Sequence, residues 1–158
     1  MENKDKVLLL KDLCARLPYG VKCQIKGEED FEPLKLKSFI QGEGFCAFDF
    51  DIKENLSLIF KDLDEFKPYL FPLSSMTEEQ NKVLIKNYHF SFNSCSDGIT
   101  NGIYSPTFNR TIYYSMNEDD VSKIIDWLNK NHFDYRGLIE KGLAIDATGL
   151  NIYKEEQK

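Results

Sequence analysis

The sequence predicts an α+β protein: an N-terminal helix, a small antiparallel β-meander or SH3-like barrel, then helices with a second short β-ribbon. Three observations predict it. Apolar residues recur at helical spacing near the start of the chain. From Val21 to Phe60 they alternate with polar ones between clusters of turn residues. Beyond Thr77 the helical periodicity returns. An aromatic share of 13%, with 12 Phe and 8 Tyr, suits a core built on strands.

The elements follow in order. Asp5 is placed to cap a first helix whose apolar face reads Leu10, Leu13, Cys14, Leu17. Pro18 stops it, lacking a donor and clashing with the preceding turn, and Tyr19-Gly20 turns the chain. Val21, Cys23 and Ile25 alternate with Lys22, Gln24 and Lys26, a strand with one wet face. After the Gly27–Asp30 turn, Leu34 and Leu36 alternate with Lys35 and Lys37. Gln41–Gly44 turns again, and Cys46, Phe48, Phe50 and Ile52 alternate with Ala47, Asp49 and Asp51. Lys53-Glu54-Asn55 leads to a fourth strand, Leu56–Phe60, and Lys67–Pro72 closes the region.

Thr77 and Gln80 form a capping box for a helix to about Asn87, with Val83 and Leu84 inward. Tyr88–Phe92 and Phe108–Met116 read as strands around a polar loop, Asn93–Asn101. Asn117 caps a helix with an apolar stripe of Val121, Ile124, Ile125 and Leu128, and Asn131 ends it. Asp134 caps a last helical turn closing at Gly142. Leu143, Ile145, Leu150, Ile152 and Tyr153 supply a final apolar edge before a charged tail, Lys154–Lys158. No repeat or linker interrupts the chain. It reads as a single compact unit, 1–158, with an internal joint near 73–76.

Composition restricts function. The net charge of −6 disfavours diffuse phosphate binding, which draws its affinity from a surplus of Lys and Arg, and it disfavours anionic membranes equally. The N-terminal apolar run Val7–Leu10 is too short for a secretory signal, and no stretch reaches the ~20 apolar residues of a membrane span. The expected location is the cytoplasm, with no membrane partner. Cys14, Cys23, Cys46 and Cys95 are scattered without a Cys-x-x-Cys pair, so free and mostly buried thiols are expected, with no metal site and no cofactor.

Gly42-Glu43-Gly44 leads into a strand and carries an acid, so it reads as a turn and not as a phosphate cradle. Cys95 is the candidate nucleophilic thiol, with His89 or His132 as its base. The acid pairs Asp49/Asp51, Asp62/Asp64 and Asp119/Asp120 read as solvated faces; no Asp-x-Asp-x-Asp-Gly loop accompanies them. The densest polar-aromatic mix is the cluster His132, Asp134, Tyr135 and Arg136, which could line a site or form a capped helix end. Lys22, Lys26, Lys35 and Lys37 form a candidate basic face on the meander. Trp127 reads as core or interface, and Phe45, Tyr69 and Phe71 would attract a partner if they stood exposed together.

Three segments are familiar as strings: Lys11–Lys22 (KDLCARLPYGVK), Lys67–Gln80 (KPYLFPLSSMTEEQ), and His132–Ile139 (HFDYRGLI) with Gly142–Thr148 (GLAIDAT). Through them the chain resembles a family of short uncharacterised proteins of gut anaerobic bacteria and their phages or mobile elements. The resemblance covers about a quarter of the chain and implies a bacterial or phage origin, with no activity to transfer. The expected function is a non-enzymatic protein-interaction module binding a host or phage protein through an acidic or aromatic surface. One alternative is a small enzyme built on His132, Asp134, Tyr135 and Arg136. Another is a specific nucleic-acid binder using the basic face.

Overall fold

The structure, a computed structural model, describes residues 1–28, 32–42, 45–51, 57–88, 94–95, 98–99, 103–105, 110–112 and 118–153. The chain divides into two units: Met1–Pro72 with Asn129–Lys158, and Leu73–Leu128.

The first unit begins with α1, Asn3–Arg16. Its N-cap is Glu2, and Asp5 falls in the first turn, where its charge favours the positive helix end. The buried face is Leu9, Asp12, Leu13 and Arg16, one residue back from the expected stripe, and Cys14 is exposed. The rotation is possible because Asp12 and Arg16 satisfy each other inside the fold. A 3-10 turn, Leu17–Tyr19, carries Pro18 in its first positions and ends at Gly20 with φ 68°. That left-handed conformation is cheap only for glycine.

A mixed sheet follows, with β1 Lys22–Ile25, β2 Leu34–Gly42, β3 Phe45–Asp51, β4 Ser57–Phe60 and β5 Phe66–Pro72. Strands β1 to β4 form the expected antiparallel meander, and β5 pairs antiparallel with β1. The meander stays open and does not close into an SH3-like barrel. Closure would require β4 to pair with β1, whose two edges are already taken by β2 and β5. A register shift between Leu36 and Ser38 keeps Leu36, Phe39, Phe48 and Phe50 directed inward.

Lys67–Pro72 is thus a central strand and not the end of the region. It also takes two short parallel strands, β10 Phe133–Asp134 and β11 Ile145–Asp146. Phe71 N–H donates to the His132 carbonyl, and Ala147 N–H donates to the Leu70 carbonyl. Consecutive residues present their backbone groups to opposite edges, so β5 holds one strand on each side. Pro68 is tolerated there because β11 pairs only with Tyr69 and Leu70.

The core of this unit joins Leu9 and Leu13 to Val21, Cys23, Phe48, Phe50, Phe66, Leu70 and Leu138. Phe66 is its hub, with edge-on contacts to Phe48 at 5.1 Å and Phe50 at 5.0 Å. Among the described residues of this unit, these aromatics are therefore spent on the interior. Tyr69 is buried, and Phe71 packs on Phe133 and Tyr153.

The second unit holds α2, Glu78–Tyr88, two ribbons and most of α3, Glu118–Lys130. The capping box forms as expected: Thr77 N–H donates to Gln80 Oε1 at 2.9 Å, and Gln80 N–H donates to Thr77 Oγ1 at 3.2 Å. Leu84 is fully buried, whereas Val83 is exposed; likewise Ile124 and Leu128 are buried and Val121 is exposed. One antiparallel ribbon joins β6 Ser94–Cys95 to β7 Gly98–Ile99, and the other joins β8 Ile103–Ser105 to β9 Arg110–Ile112. Of the strand expected at Tyr88–Phe92, Tyr88 is instead the last residue of α2, and the remainder, 89–92, lies outside the described residues, as does the Asn117 cap.

Candidate functional site

The i,i+4 spacing of Asp12 and Arg16 stacks them on one face of α1. Both side chains are fully buried. Arg16 Nε donates to Asp12 Oδ2 at 2.7 Å and its Nη2 to Oδ1 at 3.1 Å, a bidentate pair. The same Nη2 donates to the Phe133 carbonyl at 2.7 Å, so α1 grips the start of β10 directly.

The four residues of the polar cluster gather around this pair, and each is committed to the fold. Arg136 reaches Asp12 Oδ1 at 3.4 Å. The guanidinium groups of Arg136 and Arg16 lie 4.9 and 5.6 Å from the Tyr135 ring centroid, and Tyr135 Oη donates to Asn129 Oδ1 at 3.1 Å. Asp134 caps the next turn as expected, accepting from Leu138 N–H at 2.9 Å and Ile139 N–H at 2.8 Å. His132, where the chain leaves α3, has φ 57° and is 6% exposed.

His132 stacks on Tyr153, with ring centroids 3.8 Å apart and planes 11° from parallel. Burial, then the positive charges of Arg16 and Lys22, push its pKa down to about 3. The ring is neutral at physiological pH. Tyr153 completes the sheet: its hydroxyl accepts from Lys22 N–H at 3.1 Å and donates to the Tyr69 carbonyl at 2.7 Å. The β1–β5 ladder ends at Cys23 and Pro68, so this hydroxyl bridges the position where the next rung would lie. Burial raises the phenol's pKa and keeps it protonated. Among the described residues, Arg16 Nη1 and His132 Nδ1 are buried without a hydrogen-bond partner.

Within the candidate basic face Lys22 and Lys35 lie directly opposite each other across β1 and β2. Lys22 Nζ donates to the Ile152 carbonyl at 2.8 Å, Lys37 pairs with Asp51 at 3.8 Å, and the Lys35 stem runs past Gly20. Lys26 stands apart from these, beyond the end of β1. Cys95 lies in β6, and its side chain and His89 are outside the described residues. Of the acid pairs, Asp62 and Asp64 bind Lys6 at 3.1 and 3.3 Å, which lowers the Asp62 pKa and raises that of Lys6. Cys23 is buried, and burial raises its thiol pKa. Among the described residues no group of three or more metal-ligating side chains converges, and no helix is long and apolar enough to cross a membrane.

A concave opening of the first unit lies elsewhere. A cleft of about 590 Å³ lies between the start of α1, the ends of β1 and β5, and the turn before β11. Ile25, Leu63, Phe66, Leu143 and Ile145 form its apolar wall, and Lys26, Lys67 and Lys141 stand around it. A neighbouring hollow of about 570 Å³ shares Ile25, Lys26 and Asp64. Of the cleft lysines only Lys26 belongs to the candidate basic face. Lys67 and Lys141 are 74 positions apart (141 − 67) and carry no local signal that would join them.

Comparison of the chain with protein-family models, with curated proteins and with solved structures finds no match.

Proposed function

We propose that this protein is a non-enzymatic protein-interaction module, carried by a phage or mobile element and acting in the cytoplasm on a host or phage protein. One observation supports the reading above others. Asp134, Tyr135 and Arg136 spend their functional groups on caps, a side-chain amide and a buried carboxylate, and His132 is stacked and enclosed. A general acid or base must reach its substrate by a hydrogen bond. The cluster reads as the fastening of the C-terminal segment to α1 and β5. The nucleic-acid reading is weakened in the same way, because two of its four lysines are already engaged. The phage or mobile-element origin rests on the sequence resemblance alone.

The test is affinity capture with tagged protein from bacterial lysate, with and without phage infection, read by mass spectrometry and nucleic-acid staining. The expected result is one protein recovered in stoichiometric amount and retained after nuclease treatment. Recovery of a small metabolite turned over by the protein, or of nucleic acid released steeply by salt, would refute the reading.

A further inference from the structure

We infer that the cleft between α1, β1, β5 and the turn before β11 binds an acidic segment of a partner protein, with an apolar side chain on its wall and carboxylates on Lys26, Lys67 and Lys141. The inference rests on the binding-module reading and names the surface it uses. In a chain of net charge −6, three exposed lysines stand around one opening, and none of the three has an ion pair among the described residues. Of the two carboxylates on the wall, Asp64 is bound by Lys6 at 3.3 Å, leaving Asp5 against three ammonium groups. The cleft is thus locally positive on a negative molecule, which steers and selects acidic partners.

The wall chemistry selects the class of occupant. Ile25, Leu63, Phe66 and Leu143 are core residues whose outer edges reach the cleft, so its base is apolar and rigidly backed by the sheet. A small polar metabolite would need convergent, fixed polar groups at that depth. The only side-chain amide present, Gln24, is already engaged: its Oε1 accepts from Tyr69 Oη at 2.6 Å, and its Nε2 donates to the Glu28 carbonyl. The remaining polar groups are long lysines around an apolar base. That arrangement fits a flexible segment with acidic residues flanking an apolar anchor.

The experiment is selection of a displayed random dodecapeptide library on the full chain, followed by fluorescence anisotropy of the enriched peptides with wild type and with K26E/K67E/K141E. Enrichment of acidic peptides carrying Leu, Ile or Phe is expected. Their binding should weaken about tenfold or more in the triple variant, and in wild type it should weaken with added salt. An unchanged far-UV spectrum and melting temperature will verify that the variant folds, and single variants K67E and K141E provide a milder series. Enrichment of basic or uncharged peptides, insensitivity to the triple reversal, or no enrichment would each overturn the inference. If lysate capture still yields the same protein with the triple variant, the binding-module reading stands and the cleft assignment alone fails.

Discussion

Asp12→Ala isolates the central electrostatic claim about this fold. The substitution leaves the Arg16 guanidinium, 0% exposed, without its carboxylate, while Nη2 keeps only the Phe133 carbonyl. Removing one member of a buried pair costs about 3–5 kcal/mol, because the remaining charge stays desolvated. Whole domains have stabilities of about 5–15 kcal/mol, so the variant should stand near the edge of folding. The double variant Asp12→Leu/Arg16→Met removes both charges and fills the space with apolar atoms. It still deprives the Phe133 carbonyl of a donor, a loss of about 1–3 kcal/mol for a buried acceptor. The double variant should therefore be more stable than Asp12→Ala although it carries one more substitution. Urea unfolding followed by far-UV circular dichroism gives both values. Amide exchange at Phe71, whose N–H bonds the His132 carbonyl, reports whether β10 detaches first. A loss under about 1 kcal/mol in Asp12→Ala, or a double variant weaker than the single one, would refute the account of a pair whose value is mutual neutralisation.

Other perturbations test neighbouring contacts. His132 is neutral in the fold with a pKa of about 3 against an ordinary 6.5, so only the unfolded chain takes up its proton between those values. This residue makes stability fall as pH drops from 6.5 towards 3, with a slope of about 1.4 kcal/mol per pH unit, and it contributes no slope above that window. The difference between wild type and His132→Asn in urea titrations at several pH values should show that slope; Asn tolerates the positive φ, and a flat difference would refute the buried neutral ring. Tyr153→Phe strands Lys22 N–H and the Tyr69 carbonyl and should cost about 1–3 kcal/mol, read by thermal melting and by faster exchange of the Lys22 amide. Gly20→Ala places a Cβ 2.7 Å from Lys35 Cε, the movable end of a side chain, so the cost should be the left-handed backbone alone, about 1–2 kcal/mol by calorimetry. Iodoacetamide should label Cys14 in the native protein and reach Cys23 only on unfolding, as peptide mass spectrometry can verify.

Much of the fold is legible wherever neighbours in sequence supply the physics. Alternation in Val21–Ile25 and Phe48–Asp51, the Thr77–Gln80 box, the Pro18-Gly20 stop and the Asp134 cap are local, and each appears where the residues indicate, whereas Ala47, expected on the wet face, is buried. Two misreadings share one cause, which is long-range pairing. Asp12 and Arg16 look like wet-face residues until their mutual bonds and the Phe133 carbonyl allow burial, and that rotates α1 by one residue. Lys67–Pro72 looks like a terminating segment because it holds two prolines. It becomes the centre of the sheet only because segments more than sixty residues later lie along both its edges. The polar cluster at His132–Arg136 was visible as a concentration of polar and aromatic groups, but its role depends on an ion pair 124 positions away from Arg136.

The α+β class, the order of helix and meander, the capping chemistry and the negative net charge follow from residue type and short spacing alone. The open meander, the fastening of the C-terminal segment by the candidate site residues, and the shared cleft of Lys26, Lys67 and Lys141 emerge in the folded chain. The physical reason is that desolvation and charge proximity are properties of neighbours in space. A chain records its neighbours along the backbone, while the buried ion pair and the parallel strand contacts are set when distant segments meet.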